Sequence, residues 1–112
     1  MEPLTMHIDG RRVESESGAT FEATSPATGE VLAHVPEGTR EDARRAVAAA
    51  NRAKAAIAGM PVWERSKLLL RMADAIDARR EELARTLSQD QGKPYHSEAL
   101  WEVDHAALGF RN

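Results

Sequence analysis

From Thr39 to the last residues of the chain, apolar side chains return every three or four positions. Before Thr39 they come in short runs closed by turn-forming residues. A period near two and a period near 3.6 bury different faces of the backbone, so this switch divides the chain into a strand-forming third and a helix-forming remainder. It limits the segment to an α+β arrangement: an N-terminal β-hairpin and short strands, then three helices.

Strands are expected over about residues 6–35. His7-Ile8 and Arg12-Val13 flank Asp9-Gly10, the dipeptide that most favours a two-residue hairpin turn. A second run covers Thr20 to Thr24. The turn "PATG", Pro26 to Gly29, uses glycine for a positive φ. Val31, Ala33 and Val35 then share one face of a third run, which Pro36 and Gly38 end.

Helices are expected over about residues 40–58, 62–91 and 94–112. Thr39 caps the first, with Asp42 three residues on as a capping box with Asp in place of Glu. Ala43, Ala46, Val47, Ala50, Ala53 and Ile57 make its apolar stripe, and Gly59 and Pro61 stop it. The second helix carries Leu69, Met72, Ala73, Ile76, Leu83 and Leu87, with Glu81 and Arg85 as an i,i+4 pair. Unbroken, it would be about 45 Å long. The third presents Leu100, Val103, Ala107 and Phe110.

Hydrophobic residues make up 42% of the 112, but nearly half of them are alanine and the aromatics are only Phe21, Trp63, Tyr95, Trp101 and Phe110. Such a core removes little area per residue from water, which implies modest stability. A net charge of −3, with bases interleaved among acids as in "DARREELAR", lacks the basic surface that phosphate neutralisation needs. No apolar run is long enough to span a bilayer. "MEPLTMHIDG" has neither the basic start nor the apolar stretch of a signal peptide, and a cytoplasmic location is expected. The absence of cysteine removes disulfides, thiolate metal sites and thiol nucleophiles.

Motif by motif, the chain has no catalytic constellation of its own. Gly92-Lys93 is not a phosphate loop, because position 87 is Leu and position 94 is Pro. It reads as a helix stop: Gly92 in the left-handed cap, Lys93 near the negative helix end, Pro94 opening the next helix. No two of the seven glycines are two apart, which excludes the dinucleotide fingerprint. Glu102-x-x-His105 resembles half of a di-iron motif but has no second copy. His96 and His105 point to opposite helix faces. No G-x-S-x-G elbow occurs, and His7 and His34 lie in strands without a nucleophile nearby.

Several stretches in sequence order resemble the N-terminal segment of the aldehyde dehydrogenase superfamily. They are "HIDGRRVES", "FEATSPATGEVLAHVPEGT", "EDARRAVAAANRA" and "ERSKLLLRMADAIDARREELARTLSQDQGKP". The resemblance covers about Met6 to Asn112, and "SPATGEV" with "DQGKP" is its most specific pair. Ser25 stands where the family usually writes Asn, and Lys54 and Ile57 stand where aromatics are common.

The resemblance implies an α/β family fold in which residues 1–112 are part of the outer layer of an NAD- or NADP-binding domain, left incomplete here. It implies oxidation of an aldehyde to a carboxylic acid through a cysteine thiohemiacetal and thioester, with an asparagine and a backbone N–H holding the oxyanion and a glutamate activating water. None of those residues, and no cofactor-binding residue, can be placed on this chain, so the segment alone is expected to be inactive. One site carries over: a monovalent cation held by the carbonyls of Ala23 and Thr24 and the side chain of Asp90, hard oxygen ligands for a hard ion. The implied partners are the remainder of such a chain, an aldehyde substrate, and further copies in a homodimer or homotetramer. The residues by themselves also admit a self-contained helical interaction module.

Overall fold

The computed structural model describes residues 4–112. They form four strands, four α-helices and one π-helical turn: β1 (Met6–Ile8), β2 (Arg11–Val13), β3 (Thr20–Thr24), β4 (Val31–Pro36), α1 (Arg40–Ala58), α2 (Val62–Ala78), α3 (Arg80–Gln91), the π turn Tyr95–Ala99 and α4 (Leu100–Arg111). The chain divides into two compact units. One holds the residues up to Thr24 and Glu30–Gly59; the other holds Ser25–Gly29 and Met60–Asn112.

In the first unit β1 and β2 pair antiparallel with Ile8 opposite Arg11, leaving Asp9-Gly10 as the whole loop. Asp9 (φ 57°) and Gly10 (φ 73°) are both left-handed, as a two-residue turn of this hand demands. β3 and β4 form a second antiparallel pair, Phe21 opposite Val35 and Ala23 opposite Ala33, with a register shift between Ala23 and Thr24. The N–H of Leu4 reaches the carbonyl of His34 on β4 at 2.9 Å.

Thr39 starts α1 with the reciprocal capping box: its hydroxyl accepts from the Asp42 N–H at 3.2 Å, and the Asp42 carboxylate accepts from the Thr39 N–H at 2.9 Å. Asp42 is buried, and its carboxylate also takes the Glu16 N–H and the Ser15 hydroxyl, each at 3.2 Å. Ser15 in turn donates to the Glu37 carbonyl at 2.6 Å. This polar knot ties the loop after β2 to the start of α1. It also sets which side of the helix is covered: Asp42, Ala46 and Ala49 face inward, while Val47 and Ile57 of the expected stripe stay exposed.

The second unit is a helical assembly around alanine. Ala73, Ala84 and Ala99 have no exposed surface and Ala107 almost none; Val103 joins them, with Ile76, Leu83, Leu87, Tyr95 and Leu100 packed around. Side chains this small let α4 lie close against α2 and α3.

The single helix expected over 62–91 is two helices. The chain breaks at Arg79, which adopts φ −115°, ψ 19° and turns its N–H to the Ile76 carbonyl. No glycine or proline forces the break. Locally, Arg79 Nε binds Glu82 three residues on at 3.0 Å. Tertiary contacts hold the two arms, Arg80 making a two-pronged pair with Asp104 of α4 and Arg111 at the other end of α4 reaching Asp74 and Asp77 of α2. A straight rod of about 45 Å would run past α4, whose 12 residues span about 18 Å; the bent pair stays on it. The third expected helix also begins differently. After Pro94 the chain makes a π turn, the Pro94 carbonyl accepting from Ala99 at 3.0 Å and from Glu98 at 3.2 Å, before settling into α4.

Candidate functional site

The residues singled out by the sequence meet most closely at the end of α3. Gly92 sits in the left-handed region at φ 70° and returns its N–H to the Ser88 carbonyl at 2.9 Å, capping the helix. The Ser88 hydroxyl donates to the Lys93 carbonyl at 2.7 Å, fixing the exit of the chain. The Lys93 ammonium, mostly buried, bonds Glu102 of α4 rather than the helix end. Against this cap packs the turn Ser25–Gly29, closed by the Gly29 N–H on the Ser25 carbonyl at 2.8 Å. A Cβ on Gly92 would stand 2.9 Å from the Pro26 ring. The "PATG" and "DQGKP" stretches, more than sixty residues apart, are therefore two sides of one junction.

Asp90 lies exposed in the last turn of α3. Ala23 and Thr24 end β3 on either side of its register shift, in the other unit. No group of three or more His, Cys, Asp or Glu able to hold a metal occurs among the described residues. The histidines have separate surroundings. His7 lies opposite Arg12 and His34 opposite Glu22 in their strand pairs. His96 meets Tyr95 edge-on at 4.9 Å, and His105 lies over Trp101 at 3.7 Å with Nδ1 on the Trp101 carbonyl. Glu102 and His105 thus serve different partners.

A pyrophosphate would need a strand, a glycine turn and an open helix N-terminus. One junction has that order: β4, Gly38 and α1. Its N–H groups are taken by Thr39, and the Asp42 carboxylate stands where an anion would have to sit. The Thr39 N–H, first of all, then Glu16 and the Thr39 and Ser15 hydroxyls hold Asp42 ionised, its pKa below the usual carboxylate range despite burial. The residues present do not fit a dinucleotide there.

Two contacts had no signal in the sequence. Lys93 and Glu102 are nine apart, a spacing no helical or strand period pairs. Ser15 and Asp42 meet across 27 residues.

The model of the aldehyde dehydrogenase family matches residues 13–112. The chain belongs to the aldehyde dehydrogenase family. It is 45% identical over 106 residues to aldehyde dehydrogenase family 2 member B4, mitochondrial, of Arabidopsis thaliana, and 44% identical to benzaldehyde dehydrogenase, mitochondrial, of Antirrhinum majus. In each case 93% of this chain and 20% of the relative is covered. The NAD+ complex of an aldehyde dehydrogenase from Bacillus cereus superposes with a TM-score of 0.93 at 38% identity, over 98% of this chain and 23% of that one. The chain therefore spans about a fifth of the length of the aldehyde dehydrogenases it matches. Among the described residues no helix is long and apolar enough to cross a membrane.

Proposed function

We propose that this chain is the N-terminal segment of an NAD- or NADP-dependent aldehyde dehydrogenase that converts an aldehyde to a carboxylic acid. In this reading residues 1–112 form the outer layer of its cofactor domain. The observation that supports it is the near-complete superposition on an NAD+-bound family member of which the chain spans only 23%. A thiolate nucleophile would come from outside this stretch, which has no cysteine. The segment contributes scaffold: the Gly92–Pro26 junction and the alanine-packed helices set the surface on which the rest of the domain is laid. The cation at Ala23, Thr24 and Asp90, assembly as a homodimer or homotetramer, and a cytoplasmic location belong to the same proposal; both plant relatives are named as mitochondrial.

The test is a complementation assay. The purified 112-residue chain is incubated with an aldehyde and NAD or NADP, and reduced nicotinamide is followed by absorbance. No turnover is expected from the chain alone. Turnover is expected when it is mixed with a family member from which the matching N-terminal fifth has been removed. Aldehyde-dependent reduction by the 112-residue chain alone would refute the scaffold role, and failure of the mixture to form a complex would refute the placement.

A further inference from the structure

Among the described residues Asp9 is the one non-glycine in the left-handed region, at φ 57°, and it is followed by Gly10. It is also the one aspartate in the chain that precedes a glycine. The pair forms the entire loop between β1 and β2, with Ile8 opposite Arg11. In such a turn the closing bond uses the N–H of the residue after the loop, so the Gly10 nitrogen is not part of the ladder. Apart from its chain neighbours, nothing lies within 4 Å of where a Cβ of Gly10 would be, so no other part of the described chain packs on that side of the turn. The Asp9 carboxylate is about two-thirds exposed, and Arg52 of α1 holds its Oδ2 at 3.0 Å.

From this geometry we infer that Asp9-Gly10 is a site of spontaneous succinimide formation and isoaspartate conversion, and that Arg52 restrains it. The Gly10 nitrogen attacks Cγ of Asp9. A Cγ–N bond forms, the amide proton and the carboxyl hydroxyl leave as water, and a five-membered imide results. Water then opens the ring. Addition at the former main-chain carbonyl breaks its bond to nitrogen and leaves the chain linked through Cγ, with a free α-carboxylate. No oxidant or reductant takes part and the final mass is unchanged.

Attack requires a carboxyl that is free to swing toward the nitrogen. The guanidinium opposes this by holding Oδ2 and fixing the direction of the carboxylate. The product carries one extra backbone carbon in a loop that had two residues. The Ile8–Arg11 closing pair and the register behind it then no longer fit that loop.

The 112-residue chain is incubated for days near neutral pH, and isoaspartate is measured by enzymatic methyl labelling followed by tryptic mapping. Label is expected in the N-terminal peptide that ends at Arg11, in the native chain. Its rate should rise about two- to fivefold in Arg52→Ala, the range an exposed ion pair of this kind can restrain. High salt, which screens the same pair without any substitution, should raise the wild-type rate in the same direction. Asp9→Glu, whose imide would need a six-membered ring, should remain unlabelled. Label in that peptide of the wild type no higher than in Asp9→Glu would overturn the site. Equal rates in wild type, Arg52→Ala and high salt would overturn the restraint by Arg52.

Discussion

Replacing Gly92 by alanine tests the junction at the end of α3 by two separable costs. The first is conformational: a non-glycine residue held at φ 70° loses roughly 1–2 kcal/mol. The second is steric. The new Cβ would lie 2.9 Å from Cγ of Pro26, closer than carbon atoms pack, so the Ser25–Gly29 turn must shift. Overpacking of this kind costs about 1–3 kcal/mol. The sum, about 2–5 kcal/mol, is a large part of the roughly 5–15 kcal/mol that holds a domain together. Gly29→Ala is the internal reference, because Gly29 has φ 75° but open space around its would-be Cβ, so it should lose only the first cost. Gly109→Ala, mid-helix and unobstructed, should be neutral or stabilising by up to about 1 kcal/mol. Equilibrium urea unfolding followed by helical ellipticity gives all three. If Gly92→Ala loses no more than Gly29→Ala, the contact between the two family-signature stretches does not constrain the fold, and the reasoning fails.

Asp42→Asn should lower the urea midpoint at neutral pH. The Asp42 pKa is depressed in the fold, so its contribution is present above the ordinary carboxylate range and lost as pH falls through the folded value. A pH series of urea midpoints should therefore show a weaker acid decline in the variant than in the wild type. Ala84→Val adds two methyl groups to a side chain with no exposed surface and should cost about 1–3 kcal/mol by the same unfolding assay, whereas Ala106→Val on the exposed face should cost less than about 1 kcal/mol. His105→Ala removes the ring that lies 3.7 Å from the Trp101 ring and should change the Trp101 contribution to the emission spectrum, while the contribution of Trp63, which lies under Lys67, should stay as it is.

What the sequence showed and what it hid follow one physical division. The Asp9-Gly10 hairpin, the Thr39–Asp42 capping box and the Gly92 stop are each decided by residues within a few positions of one another, and each formed where the residues stand. The break at Arg79 carries no local breaker and comes from α4 gripping both arms, so a period reading runs straight through it. The π turn after Pro94 is likewise a matter of which carbonyl accepts twice. Periodicity also chose the apolar stripe of α1, but the helix turns a face containing buried Asp42 inward, because the polar knot with Ser15 and Glu16 fixes its rotation. Lys93 was placed at a helix end by its neighbours in sequence; its partner Glu102 belongs to another helix. At the candidate cation site the sequence supplied Ala23, Thr24 and Asp90 through family resemblance alone, with nothing in local spacing to join them.

The five residues Ser25–Gly29 belong to one unit while the strands on either side of them belong to the other. The polypeptide therefore passes from one unit to the other three times. No single proteolytic nick or truncation can release either unit whole: a cut after Gly59 strands the Pro26 ring on the wrong piece and deprives the Gly92 cap of its lid. Chimeras that swap this region between relatives must exchange the pentapeptide together with residues 60–112, or accept a mismatched seam.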